Sequence, residues 1–240
     1  MKIDKNDWLM RTKLLAGEEA VERIRTSEIA VFGLGGVGSY ACEAVCRAGT
    51  GRIFICDDDT VDVTNINRQL IADTTTVGMR KVDVEAERIM RINPDSVIIK
   101  EYRRFDETTA GSFPFGEFDY VIDAIDSIDS KLLLIKTAHE AGVPIISAMG
   151  GGSKLDPSQL EYADIADTSY DPLARSVRQK LRKMGIYHTR VVYSRESPKR
   201  SVPYKDAPYT ASISFVPPAA GFMLAAAALN DIMNIPGEQK

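Results

Sequence analysis

The residues best suited to chemistry begin at Gly33-Leu34-Gly35-Gly36-Val37-Gly38. This run directly follows a short apolar segment and opens a helical one, the context in which a glycine turn can hold nucleotide phosphate. Glycine permits the tight turn and close backbone approach, and a helix N-terminus offers unpaired N–H groups to an anion. Asp57, nineteen residues beyond Gly38 at the end of the next apolar run, can accept hydrogen bonds from ribose hydroxyls. These features suit an NAD-dependent dehydrogenase as well as an ATP-dependent enzyme.

The residues that follow favour ATP. Asp57-Asp58-Asp59-Thr60-Val61 is succeeded by Asn65-Ile66-Asn67-Arg68-Gln69 and then by Lys81. Hydride transfer has no evident need of this set, whereas a triphosphate has. Arg68 and Lys81 can hold β and γ phosphates and stabilise charge on departing pyrophosphate, and Asn65 can hydrogen-bond a phosphate oxygen or ribose. Asp126 closes Asp123-Ala124-Ile125-Asp126 at the end of a candidate strand. Ligands of open α/β sheets bind at that carboxyl edge, and a carboxylate there can hold Mg2+.

A second feature is electrostatic. The net charge is only −4, yet residues 175–205 hold ten Lys/Arg against one acid, Glu196. The remaining chain is acidic, so the pattern suggests a local anionic partner such as a nucleic acid backbone. On a helix, Arg175, Arg178 and Arg182 share a face, while Lys183 is offset by about 100°. A plain solvated basic face remains open on charge alone.

The elements that must position these residues read as a doubly wound, Rossmann-like α/β pattern: a mostly parallel sheet with helices on both faces. Near-continuous apolar runs predict strands at Glu28 to Phe32, Arg52 to Cys56, Ser96 to Tyr102, Tyr120 to Asp123 and Pro144 to Ala148. Helices are expected over Val37 to Ala48, Arg80 to Ile92 and Lys131 to Ala141, after an N-terminal helical stretch ending near Arg25. Asn93-Pro94 and Gly142 act as stops. Beyond Gly150 a polar stretch reaches Thr168. Asp171-Pro172 then caps a helix with Leu173, Val177 and Leu181 on one face, which Gly185 ends. Strands at Thr189 to Ser194 and Tyr209 to Val216, a helix at Ala219 to Met233 and a frayed tail at Pro236 to Lys240 complete the C-terminal extension. The expectation is one domain over residues 1–240, with a nucleotide-binding half (1–150) and a half facing the substrate (151–240).

Together, Gly33 to Gly38, Asp57-x-Asp59-x-Val61, Asn65-x-x-Arg68-Gln69, Lys81 and Asp126 resemble the adenylation domain of the E1-like ThiF/MoeB/HesA superfamily, which activates a carboxylate as its acyl-adenylate. The likeness covers roughly residues 10 to 150. By it, Gly33, Gly35, Gly36, Gly38, Asp57, Asp59, Asn65, Arg68, Gln69 and Lys81 would bind ATP, and Arg11 would reach the nucleotide of the partner subunit in a homodimer. Arg11, Arg68, Lys81 and Asp126 would be the catalytic set.

The second half selects a branch. Ser147 to Pro157, Ala163-Asp164-Ile165, Asp171-Pro172-Leu173-Ala174-Arg175 with Arg178, and Val191 to Glu196 resemble the tRNA threonylcarbamoyladenosine dehydratases. This resemblance implies ATP-dependent cyclisation of the modified adenosine at tRNA position 37, with Arg175, Arg178 and Arg182 docking tRNA. The alternative within the superfamily is adenylation of the C-terminus of a ubiquitin-like sulfur-carrier protein, and sulfur-relay proteins are a further partner class.

Composition and cysteine use narrow the field. Hydrophobic residues make up 44% and charged residues 27%, an ordinary globular balance. Cys42, Cys46 and Cys56 form no Cys-x-x-Cys pair and none follows Cys56, so neither zinc nor a downstream thioester is expected. His139 and His188 are read as structural or solvated. The apolar stretch Phe215 to Leu229 is too short for a bilayer and no signal-peptide core is present, so a cytoplasmic protein without membrane contact is expected.

Overall fold

The computed structural model describes residues 7–199 and 210–234. The predicted strands form as β1 (Glu28–Phe32), β2 (Arg52–Cys56), β3 (Val97–Glu101), β4 (Tyr120–Asp123) and β5 (Ile145–Ala148). Two more follow, β6 (Leu160–Asp164) and β7 (Arg190–Ser194). They make one sheet in the order β3-β2-β1-β4-β5-β7-β6, parallel throughout except for β6 against β7. The chain steps outward from β1 to β3 and then returns to place β4 on the other side of β1, so a crevice opens between the carboxyl ends of β1 and β4.

Among the described residues, seven helices cover the sheet: α1 (Met10–Ala16), α2 (Glu18–Thr26), α3 (Gly38–Arg47), α4 (Lys81–Ile92), α5 (Ile128–Ala141), α6 (Pro172–Lys183) and α7 (Val216–Met233). Side chains alternate across each strand. Ile29, Val31, Ile53, Ile55 and Ile122 therefore pack with residues of α3, α4 and α7. Ala30, Phe32, Phe54, Val121 and Val191 pack with α5 and α6 on the opposite face. Phe105, Phe113, Phe115 and Phe118 join Phe32 and Phe54 there, each buried. At about 1.5–3 kcal/mol per buried large apolar side chain, this cluster is a main anchor beneath the crevice.

Several sequence expectations need correction. The N-terminal helical stretch is two helices, because Gly17 at φ 89 breaks it. The polar stretch after Gly150 contains β6, an edge strand only half buried along its length and so without an apolar signature. Of the strand expected at Tyr209 to Val216, Tyr209 lies outside the described residues, 210–215 form no strand, and Val216 begins α7. Pro217 and Pro218 fit the first helical turn, where a missing N–H costs nothing. The tail at Pro236 to Lys240 lies outside the described residues. α7 has the length and apolarity to cross a membrane, but over half of it is buried in the protein.

Candidate active site

The glycine turn joins β1 to α3. Gly33 sits at φ +87, and a Cβ there would meet Ala124 O at 2.7 Å. A Cβ on Gly38 would stand 1.7 Å from Gly33 O. These two glycines shape the turn. Gly35 is open instead, its added Cβ meeting only Gln69 Nε2 at 3.9 Å.

A cavity of about 750 Å³ opens at the crevice, within the size range of small-molecule sites. Its wall brings together Gly33, Gly35, Gly36, Asp57, Asp59, Asn65, Arg68, Gln69, Lys81 and Asp126. Gly38, the first residue of α3, is not on the wall. Arg11, Arg175, Arg178 and Arg182 are not on the wall.

Backbone donors hold Asp57. Its Oδ2 accepts from Leu34 N at 2.6 Å and its Oδ1 from Asp59 N at 2.8 Å. Burial pushes its carboxyl above the ordinary range, opposed by Lys81 and by those two N–H groups. Lys81 is buried, its Nζ 2.7 Å from Asp59 Oδ2 and 3.9 Å from Asp57 Oδ1. The carboxylates of Asp57, Asp58 and Asp59 lie within 4.8 Å of one another.

The short turn after Val61 carries the next group. Asp62 and Asn65 form a reciprocal cap, Asn65 Oδ1 accepting from Asp62 N at 3.1 Å, which leaves the Asn65 amide N–H groups for other partners. Arg68 is turned by its own NH1, which donates to Thr64 O and Asn67 Oδ1 at 2.9 Å.

Of the two acids at the end of β4, Asp126, the one expected from sequence at the ligand, is on the cavity wall, and Asp123 is not. Asp123 is fully buried, ion-paired with Lys131 at 2.7 Å and hydrogen-bonded by Ser147 Oγ. Its Oδ1 accepts from Ile125 N at 3.0 Å, which fixes the loop that carries exposed Asp126 onto the cavity wall. A second buried pair, Lys154 and Asp171 at 2.8 Å, joins the glycine-rich loop after β5 to the start of α6. Lys154 Nζ also donates to Gly150 O at 2.6 Å, and Asp171 Oδ1 caps Ala174 N at 3.0 Å.

Sequence reasoning overlooked these two lysines, and also Arg103 and Arg104 on the cavity wall. The Arg103 guanidinium lies 4.2 Å over the Phe113 ring, and Arg104 NH2 donates to Ser127 Oγ at 3.2 Å. Their position just past a strand's carboxyl end was the available signal.

The basic stretch is partly paired within the chain. Arg178 NH1 donates to Thr168 O at 2.8 Å, Lys180 pairs with Asp129, and Arg190 pairs with Asp231. Arg195 faces Glu161 and Lys199 faces Glu196. Arg175, Arg182 and Lys183 are exposed and form no ion pair among the described residues. Arg200 and Lys205 lie outside them.

A parallel sheet with a glycine turn, a ribose-type carboxylate and phosphate-type cations at its switch point defines a nucleotide-binding α/β protein. The chain belongs to the ThiF family, whose model matches residues 9–239. It is 40% identical over 237 residues to the tRNA threonylcarbamoyladenosine dehydratase of Bacillus subtilis (strain 168), covering 93% of each chain. It superimposes with a TM-score of 0.88 and 32% identity on the crystal structure of Escherichia coli tRNA N6-threonylcarbamoyladenosine dehydratase in complex with ATP, over 100% of both chains. The adenylyltransferase and sulfurtransferase UBA4 of Vanderwaltozyma polyspora is 36% identical over 148 residues, 61% of this chain and 34% of that protein.

Proposed function

We propose that this protein is an ATP-dependent tRNA threonylcarbamoyladenosine dehydratase. The supporting observation is that one cavity joins the nucleotide-type wall, Gly35 to Lys81, to the Gly150–Lys154 and Asp171–Leu173 loops of the second half. The sulfur-carrier reading loses ground, since UBA4 shares only the shorter span.

The threonyl carboxylate attacks the α-phosphorus of ATP, and the bond to pyrophosphate breaks. A carbamoyl oxygen or nitrogen of the same side chain then attacks the acyl carbon. AMP leaves with one carboxylate oxygen, and a proton is released, so the adenosine loses the elements of water. Asp57 accepts from the ribose hydroxyls. Arg68 and Lys81 hold the phosphates, Lys81 exchanging its carboxylate partner for phosphate as charge builds on the leaving group. Asn65 and Gln69 hydrogen-bond the triphosphate, and Gly35 and Gly36 admit it.

Carboxylates on the cavity wall fit Mg2+, which Asp126 would hold and which would there neutralise phosphate charge. Arg11 completes the site of a second copy in a homodimer: it is exposed on α1 away from its own cavity, beside exposed Trp8, Leu14 and Leu15. Arg175 and Arg182 bind tRNA phosphates, with Arg178 bracing the helix beneath them. One domain carries both halves, and the protein works in the cytoplasm on tRNA, without zinc.

Mass spectrometry of nucleosides tests this directly. Threonylcarbamoyl-modified tRNA incubated with enzyme, ATP and Mg2+ should lose the mass of water from the modified adenosine and yield AMP and pyrophosphate. An unchanged nucleoside would reject the reading, and adenylation of a Gly-Gly carrier tail instead would favour the alternative.

A further inference from the structure

Three non-glycine residues among those described have positive φ: Ser153 (58), Tyr170 (59) and Asn234 (53). Asn234 ends α7, where asparagine commonly adopts the left-handed state. The other two need a different cause. Each directly precedes one member of the buried pair, Ser153 before Lys154 and Tyr170 before Asp171. The left-handed state is unfavourable for a bulky side chain, and such strain persists only where the surroundings impose it. Here the imposing contacts include those of the pair, Lys154 Nζ to Asp171 Oδ2 and to Gly150 O and Asp171 Oδ1 to Ala174 N, together with backbone bonds from Asp171 N to Ser169 O at 2.7 Å and from Ser153 N to Ala211 O at 2.7 Å.

The strain is not repaid by packing of the tyrosine ring. Tyr170 is 70% exposed, the most exposed aromatic side chain among the described residues. It stands one residue from the cavity wall, since Asp171, Pro172 and Leu173 line that wall. Exposed Arg175 follows on the first turns of α6, and Arg103 and Arg104 line the same cavity. An exposed aromatic ring one residue along the chain from a cavity wall that cations also line has the chemistry of single-stranded RNA recognition. There, splayed bases stack on aromatic rings while cations follow the backbone.

We propose that Tyr170 is a base-stacking residue, its ring receiving an unpaired nucleobase that flanks the modified adenosine as that adenosine enters the cavity. The buried Lys154–Asp171 pair acts as the brace that holds the ring out. This inference rests on the dehydratase reading above, because it takes the cavity's substrate to be a loop nucleotide.

The test uses an anticodon stem-loop carrying threonylcarbamoyladenosine, with 2-aminopurine replacing the neighbouring loop base. Tyr170→Gly removes the ring and relieves the left-handed strain, so the variant keeps its fold. It should weaken stem-loop binding about 5- to 150-fold, raise KM more than it lowers kcat, and abolish 2-aminopurine quenching while ATP affinity holds. Tyr170→Phe should bind and quench like the native enzyme. Tyr187→Ala, which removes an exposed ring that is off the cavity wall, should change neither. Native binding and quenching by Tyr170→Gly would overturn the proposal, as would a Tyr170→Phe variant as weak as Tyr170→Gly, since the hydroxyl would then be the contact. If the native enzyme cyclises no stem-loop at all, the dehydratase reading fails and this inference with it. Turnover with Tyr170-independent affinity removes the stacking role alone.

Discussion

Among the described residues, each half of the chain holds one lysine–aspartate pair with both side chains fully buried, and the two pairs serve different ends. Asp123–Lys131 lies within the layers of the fold, tying β4 to α5 and, through Ser147, to β5. Lys154–Asp171 bridges a loop to a helix start and braces the cavity rim. The cations outside these pairs show a parallel contrast. In the first half, Arg68 and Lys81 reach the cavity wall from separate elements. In the second, five cations of the basic stretch are paired with carboxylates or carbonyls of the same chain, mostly at the surface. Spacing in a motif thus carried through to the folded site, whereas a count of charges overstated what is free to bind.

The largest expected effect tests the first contrast. Removing one partner of a buried ion pair strands the other charge and costs about 3–5 kcal/mol. Lys131→Ala should lose that much global stability in urea unfolding. Lys154→Ala should lose less globally, and show faster hydrogen exchange confined to residues 150–173. Equal global losses would erase the distinction between scaffold pair and rim pair.

Next come the cavity charges. Arg68→Ala and Asp126→Ala should each lower turnover about 10²–10³-fold, the usual effect of removing an electrostatic stabiliser of a leaving group. Binding of tRNA should persist in both. Near-native turnover would move the chemistry away from the first half.

A pH effect separates buried carboxyls with and without partners. Glu85 on α4 is fully buried with both oxygens unpartnered, and burial, reinforced by the charge of Glu43, pushes its carboxyl well above the ordinary 4.5, against the opposing charge of Arg88. A carboxyl whose folded pKa is raised stabilises the fold below the unfolded pKa, and that stability is lost as pH rises towards the folded value. Glu85 should therefore contribute a decline of up to about 1.4 kcal/mol per pH unit above pH 4.5. Glu85→Gln should flatten this decline. A stability profile from pH 5 to 8 that is the same in both proteins would mean Glu85 finds a partner.

The smallest effect sharpens the charge contrast. The Arg175→Ala/Arg182→Ala double variant should weaken tRNA binding and lower the log–log salt slope by up to about two units, near 0.9 per duplex phosphate contact and less for loops. Adding Arg178→Ala should lower thermal stability without a further full unit of slope, because its NH1 already serves the Thr168 and Ile165 carbonyls. A full further unit would return Arg178 to the tRNA-binding set.

Much of the first half was legible because its signals are local. Strands buried on both faces read as apolar runs, and a glycine turn must directly join a strand to a helix. The edge strand Leu160–Asp164 escaped notice because only its partner β7 gives it regularity, and its half-buried faces carry no clear alternation. Val216, expected as the end of a strand, begins α7, because Pro217 and Pro218 fit the first turn of a helix.

The sequence by itself determined the order of chemistry-bearing residues and the sheet that gathers them, since hydrophobic periodicity and turn composition act over a few residues. Only the tertiary structure decided that Asp123 is buried against Lys131, which cations remain free, and that Tyr170 is held exposed in a strained backbone. Those outcomes depend on contacts between positions distant in the chain, such as Arg190 with Asp231 and Lys154 with Asp171. Burial and charge pairing are properties of neighbours in space, and the chain must fold before those neighbours exist.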